Sequence, residues 1–367
     1  MALSIGIVGL PNVGKSTLFN ALSMKQAEAA NYPFCTIDPN IGVVPVPDPR
    51  FDALVALEHP EKVVPATIDF VDIAGLVRGA SKGEGRGNAF LAHVRDASAI
   101  AHVVRCFQDD QIVHVEGKVD PVADIETIQT ELALKDLETV ERRLDSAARS
   151  AKSGDPASRA AVALCERLRA ALDQGAPALG VVIEDDREHE LFRDLQLLTA
   201  KPMFFVANVS EAQIASPQDD PLVQKARLRA QAQGAPFEVI CAAIEAEIMQ
   251  LPAGERPAFL ESVGLKEPSL HQVIRTGYRM LDLITFFTSG PKEVHAWTIK
   301  RGAKAPEAAG KIHTDFERGF IRAEIIACQD LIRLGSEAAC RSAGKLAIEG
   351  KDYLVRDGDV VHFRFNV

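Results

Sequence analysis

The chain has 367 residues, 47% of them hydrophobic and 25% charged, the balance of a soluble globular protein with room for two or three domains. Its net charge of −10 argues against wholesale coating of nucleic acid or of an anionic membrane, though not against a local basic patch, and no apolar run is long enough to span a bilayer. The six cysteines stand singly, with no Cys-x-x-Cys pair, which predicts reduced thiols in a cytoplasmic protein and neither a disulfide framework nor a zinc site.

The first stretch, "MALSIGIVGL", is apolar, lacks a basic leader and runs straight into a Gly-rich loop, so it reads as a strand rather than a signal peptide. "GLPNVGKST", from Gly9 to Thr17, fits G-x-x-x-x-G-K-[ST], and "LFNALS" continues it with helical character. Strand, Gly-rich loop and helix are the context this motif needs. Gly9 and Gly14 let the backbone wrap closely around phosphates, and the helix starting near Lys15 adds its positive dipole end. Lys15 supplies a point charge to the β and γ phosphates, and the Ser16 hydroxyl is placed to ligate Mg²⁺. Asn12, Val13, Gly14, Lys15, Ser16 and Thr17 are thus expected to bind nucleotide, with Lys15 also catalytic.

The loop "NYPFCTIDPN" follows, and the hydroxyl of its Thr36 is the candidate second protein ligand of Mg²⁺. "ATIDFVDIAGL" reads as a buried strand ending in Asp72-x-x-Gly75. There Asp72 would hold the metal through water, and the Gly75 N–H would meet the γ phosphate. Gly75, Gly79, Gly83, Gly85 and Gly87 then fall too densely for a helix or strand, which suggests a switch segment ordered by the γ phosphate. Many G proteins carry a water-orienting Gln directly after this Asp-x-x-Gly; here the residue is Leu76, which has no hydrogen bond to offer. His114, in the polar loop after "AIAHVVRCF", is the candidate to position water in its place. The other histidines show no metal-ligand spacing.

Ile125, Ile128, Leu132, Leu137, Val140 and Leu144 recur near helical spacing, Asp155 and Pro156 look like an N-cap and first helical residue, and Leu164, Leu168 and Leu172 share one face. Residues 125–200 are therefore expected to form an inserted antiparallel, coiled-coil-like helical pair. "PMFFVANVSE" is next, an apolar strand and a polar loop where the base should lie. G proteins usually read Asn-Lys-x-Asp here, and the Asp accepts from guanine N1–H and its 2-amino group. This chain has Asn208, then Val209 and Glu211 at the Lys and Asp positions. Glu211 is one methylene too long for the same bidentate geometry, and Val209 offers only a short apolar contact. The guanine filter is removed, and adenine, which lacks both donors, is no longer disfavoured. Asn208 is left to order the loop or to contact N7, and the "VICAAIEAE" loop near Cys241 and Ala242 is a second candidate to touch the base.

From about 278 short strand-like runs alternate with turns. Residues 282–367 carry 13 Lys/Arg against 12 Asp/Glu, a charge of +1, which leaves −11 for the rest. Lys300, Arg301, Lys304 and Lys311 give a local basic stretch near Trp297, without a specific RNA-binding signature.

The phosphate loop, "NYPFCTIDPN", "DIAGLVRGASKGEGRGNAFLAHVRDASAI", "HTDFERGFIRAEII" and "GKDYLVRDGDVVHFRFNV" together resemble the YchF family of Obg-related P-loop GTPases over most of the chain. The resemblance implies an α/β P-loop G-protein domain, discontinuous over 1–124 and 201–277, the helical insertion at 125–200, and a ubiquitin-like β-grasp TGS domain at 278–367. It implies a Mg²⁺-dependent ATPase, with GTP used more weakly, that associates with the ribosome, its large subunit included, through rRNA or ribosomal protein. Neither membrane nor DNA is expected as a partner. Two other readings remain: a GTP-specific regulatory GTPase, and a nucleotide-gated scaffold whose hydrolysis is incidental.

Overall fold

The computed structural model describes residues 3–28, 40–73, 86–152 and 155–366. Twelve strands occur among them, in chain order β1 (Ser4–Val8), β2 (Ile41–Pro45), β3 (Lys62–Val64), β4 (Thr67–Asp72), β5 (Ala99–Arg105), β6 (Met203–Asn208), β7 (Phe237–Ile240), β8 (Leu283–Thr288), β9 (Glu293–Lys300), β10 (Phe320–Ala327), β11 (Leu346–Glu349) and β12 (Asp359–Phe365). They form two six-stranded sheets, ordered β2-β4-β1-β5-β6-β7 and β11-β10-β12-β8-β9-β3. The described residues of 1–24, 37–42 and 69–273 make one compact unit, and those of 25–36, 43–68 and 274–367 make a second.

In the first unit the pairings of β1 with β4 and β5, of β5 with β6 and of β6 with β7 are all parallel. Parallel strands are covered on both faces, so they read as unbroken apolar runs, and every residue of β5 is buried. In such a sheet the carboxyl ends of the strands lie along one edge, where ligands bind. Here that edge carries the phosphate loop after β1, Asp72 ending β4, Arg105 ending β5, Asn208 ending β6 and Cys241 after β7.

The helices that bear on this unit include, with α2 (Pro49–Glu58) of the other unit counted in sequence, α1 (Lys15–Glu28), α3 (Arg86–Asp96), α4 (Pro121–Ala151), α5 (Pro156–Asp173), α6 (Asp186–Leu195), α7 (Pro221–Ala232) and α8 (Ala242–Gln250). α4 and α5 run back to back, and Val140, Leu164, Leu168 and Leu172 share one core cluster. The Asp155 carboxylate caps α5 by accepting from the Ala157 and Ser158 N–H groups. α4 starts earlier than its apolar spacing indicates, because Asp120 caps it ahead of Pro121. Buried Asp136 of α4 accepts from the Leu198 and Thr199 backbone N–H groups at 2.7 Å each, which fastens the returning chain to the arm.

The second unit is a β-grasp. The β8–β9 hairpin is antiparallel, the helix Ala305–Ile312 follows it, and β12 returns parallel to β8. This unit also takes residues 43–68, which the sequence reading placed with the nucleotide-binding region. β3 pairs with β9, with Lys62 opposite Glu293, and Phe51 and Leu54 of α2 bury beside Phe287 and Val294. The driving force is apolar area with no partner near it in sequence. No helix among the described residues is long and apolar enough to cross a membrane, and the five described cysteines are free and buried.

Candidate functional site

A cleft of about 650 Å³ opens at the carboxyl edge of the parallel sheet. One wall is Asn12, Gly14, Lys15, Ser16 and Thr17; the facing lining includes Asn208, Val209, Ser210, Glu211 and Cys241–Ala243; Phe107, Asp109 and Ile112 come from the loop after β5. Ten of the residues named from sequence, Cys241 and Ala242 among them, therefore line one cavity.

The phosphate loop is shaped by its backbone. Gly14 has φ +98°, and a Cβ there would collide with the Asn208 amide. Asn12 sits in the left-handed region at φ 61°, where a short polar side chain is tolerated, and its Nδ2 donates to the Val113 carbonyl at 3.1 Å. Lys15 is buried and donates to the Leu10 carbonyl at 2.7 Å. Burial pushes its ammonium down to about 8, against the pull of the Asp72 carboxylate. Burial likewise raises Asp72, with Lys15 opposing. Beneath the loop, the His102 ring is driven down to about 3 by burial and by Lys15, so it adds no positive charge there.

The Asp72 Oδ1 is buried with no hydrogen-bond partner among the described residues, an arrangement that suits an oxygen awaiting a cation or its water. Together with the Ser16 hydroxyl in the cleft lining, this donor set fits Mg²⁺, a hard ion that takes oxygen ligands. Thr36 and Gly75, named from sequence as metal and γ-phosphate contacts, and the glycine-dense stretch after Asp72 up to residue 85, lie outside the described residues.

Asn208 joins the two walls. Its Nδ2 donates to the Val13 carbonyl at 2.9 Å and its Oδ1 accepts from the Ala242 N–H at 3.0 Å, with the residue 4% exposed. Of the two roles foreseen for it, ordering the loop is the one its hydrogen bonds perform. Val209 is buried in the cluster that includes Cys241, Ile214 and Ile244, and its N–H bonds the Ile240 carbonyl, so it presents an apolar surface to the cleft. Glu211 is exposed on the same wall. Gln213 braces this loop: its Oε1 accepts from the Ser210 N–H and hydroxyl, and its Nε2 donates to the Cys106 carbonyl and to Asp220.

His114 is not part of the cleft lining. Its side chain is 4% exposed, its Nε2 lies 3.0 Å from the Asp124 carboxylate, and its Nδ1 accepts from the Glu116 N–H at 3.2 Å. Burial raises the Asp124 carboxyl, and the His114 hydrogen bond opposes this. Arg105 was not singled out from the sequence. Its guanidinium donates to the Phe107, Ile112 and Asp109 carbonyls at 3.1, 2.9 and 3.2 Å and lies 4.6 Å over the Phe107 ring, so it shapes the third side of the cleft. An arginine closing an otherwise apolar strand, "AIAHVVR", was the available signal.

Comparison with known proteins gives consistent matches. A family profile described as a 50S ribosome-binding GTPase matches residues 4–141, and the YchF-GTPase C-terminal profile, described as a protein of unknown function, matches 283–366. The chain is 54% identical to the ribosome-binding ATPase YchF of Haemophilus ducreyi and 53% identical to that of Bacillus subtilis, over the full length of both partners. It is 45% identical to Obg-like ATPase 1 of Pongo abelii, covering all of this chain and 93% of that one. The solved structure of the Schizosaccharomyces pombe YchF GTPase superposes with a TM-score of 0.89 at 40% identity, covering 99% of this chain and 97% of that chain.

Proposed function

Since the chain belongs to the YchF family, we propose that it is a Mg²⁺-dependent nucleoside triphosphatase that prefers ATP to GTP and works on the ribosome as a nucleotide-controlled switch. The observation that carries this reading is the composition of one cleft: a phosphate loop on one wall, and Val209 and Glu211 on the other where a guanine reader would have Lys and Asp. A carboxylate set for guanine would face the adenine N1 lone pair; Glu211, longer and exposed, is not held to that geometry.

The chain's own residues divide the work. Asn12–Thr17 bind the triphosphate through backbone N–H groups, and Lys15 exchanges its bond to the Leu10 carbonyl for the β and γ phosphates. The Asp72 and Ser16 oxygens would hold Mg²⁺, with Thr36 as a further ligand and the Gly75 N–H on the γ phosphate. When bound, the ion neutralises charge on the phosphate oxygens. A leucine at position 76 has no hydrogen bond to offer a water, so His114 is the group assigned to orient it, after leaving its present site against Asp124. The ribosome is proposed as partner because the bacterial relatives carry that property in their names. The C-terminal unit is the proposed contact, because 282–367 is the part of the chain closest to neutral.

Hydrolysis of ATP and of GTP by the purified chain with Mg²⁺ is the direct test, with ATP expected to be the better substrate. GTP turnover with no ATP turnover would instead establish a GTPase, as the S. pombe YchF protein is described. For the partner, co-sedimentation with ribosomes across a salt series should show loss of binding when 282–367 is deleted, and a shallow salt slope. Retention by that deletion, with loss on removing 125–200, would move the contact to the helical arm.

A further inference from the structure

The His114–Asp124 pair links two parts of the molecule that differ in kind. His114 belongs to the loop that lines the cleft, whose Asp109 and Ile112 face the nucleotide space. Asp124 lies in the first turns of α4, the long helix of the arm. Arg105 fixes the early part of the loop through its three carbonyl bonds, the last of them to Ile112. Beyond Ile112 the loop is held differently. Val113 is 73% exposed, and the stretch rests on the Asn12 bond to the Val113 carbonyl and on the His114 ring. Both ring nitrogens are occupied. A ring that accepts at Nδ1 and faces a carboxylate at Nε2 is the Nε2–H tautomer, by the logic of its partners.

The other half of the pair is incompletely satisfied. Asp124 is 3% exposed at its side chain, and its Oδ1 has no hydrogen-bond partner among the described residues. A buried carboxylate with one bare oxygen is a poor staple. A neutral side chain would fasten the loop to the helix at lower desolvation cost. Such half-satisfied groups belong where an interaction has to be given up.

We propose that Asp124 is a positioning residue for hydrolysis: its carboxylate holds the His114 ring out of the nucleotide cleft, and a shift of the first turns of α4 releases the ring to the reacting water. This rests on the reading of His114 as the water-orienting group. It makes the helical arm a control element for turnover, because Asp124 stands at the base of α4, beside Ile125 in the core under the sheet, and the same helix continues into the arm. It also gives the phosphate loop a connection to the arm, through Asn12, Val113 and His114 in turn.

The sign of the effect separates this from a structural pairing. Losing a staple slows the reaction or loosens the fold; losing a latch speeds the reaction. Asp124→Asn keeps the shape and replaces a charge-assisted hydrogen bond with a weaker neutral one. With enzyme in excess over ATP and Mg²⁺ present, single-turnover hydrolysis by Asp124→Asn should rise threefold or more over the unmodified chain, with the steady-state KM changed less than twofold. The double variant His114→Ala/Asp124→Asn should be as slow as His114→Ala. Asp124→Asn that is no faster than the unmodified chain, while His114→Ala is slow, overturns the latch alone. Unchanged turnover by His114→Ala overturns the reading of His114 and the latch with it. A second measurement needs no variant beyond the one used for assignment. In the unmodified protein labelled with ¹⁵N-histidine, the His114 Nε2–H proton should resonate downfield without nucleotide, as a proton bonded to a carboxylate does, and should lose that shift with a non-hydrolysable ATP analogue and Mg²⁺. A ring signal that stays the same in both states overturns the proposal even if Asp124→Asn fails to fold.

Discussion

On one wall of the cleft the chain works through backbone conformation, with Gly14 at φ +98°, Asn12 at φ 61° and Lys15 at the start of α1; on the other it works through side chains, with Val209 buried and Glu211 exposed. The first wall suits any triphosphate, because amide N–H groups and an ammonium read charge and not the base. On the proposed reading, discrimination between bases falls to the second wall, where Val209 and Glu211 stand. Asn208 belongs to both, since one of its amide atoms bonds the Val13 carbonyl and the other the Ala242 N–H. Binding and selectivity should therefore be separable by substitution except at Asn208 and at Gly14, which it packs against.

Lys15→Ala should give the largest effect and the most one-sided. Removing a charge aimed at the transferring phosphate typically costs about 10²-fold or more in rate. Stability should hardly change, because the buried ammonium is already disfavoured by desolvation. Single-turnover hydrolysis and a thermal melt, run together, check both halves; a rate within threefold of the unmodified chain would remove Lys15 from the chemistry.

Gly14→Ala should damage both walls at once. The new Cβ meets the Asn208 amide, and alanine is strained at positive φ, so a loss of about 3 kcal/mol is expected together with weakened binding of ATP and GTP alike. Denaturant midpoints and nucleotide titrations measure the two. Asn208→Ala is milder. It leaves the buried Val13 carbonyl and Ala242 N–H without this partner, at about 2 kcal/mol. Affinity for the two nucleotides should fall together if Asn208 is a tie between the walls. A change confined to one nucleotide would make it a base reader instead.

The phosphate wall was legible because its motif encodes a backbone shape: two glycines, a lysine and a hydroxyl at fixed spacing suit only a few conformations. The arm was legible for a related reason, since Leu164, Leu168 and Leu172 repeat at the helical period and Asp155-Pro156 opens the helix where such a pair belongs. Tertiary hydrogen bonds left no comparable trace. His114 stood out as a polar residue in a loop, but nothing near it in sequence shows that Asp124, ten residues on, occupies its Nε2. Arg105 looked like the end of a strand, and its three carbonyl partners lie in a loop whose shape exists only once the arginine is in place. The pairing of 62–64 with the second sheet left no trace in the sequence because strand pairing has no local signature: Lys62 meets Glu293 across 231 residues.

The ratio of ATP to GTP affinity decides whether Val209 and Glu211 set the base preference. Equilibrium competition of the two Mg²⁺ complexes should be measured for the unmodified chain and for the double variant Val209→Lys/Glu211→Asp. The unmodified chain should bind ATP at least as tightly as GTP, and the double variant should shift the ratio toward GTP by about tenfold, the worth of one or two restored hydrogen bonds to the base. Tight binding of GTP by the unmodified chain to the exclusion of ATP would contradict this expectation.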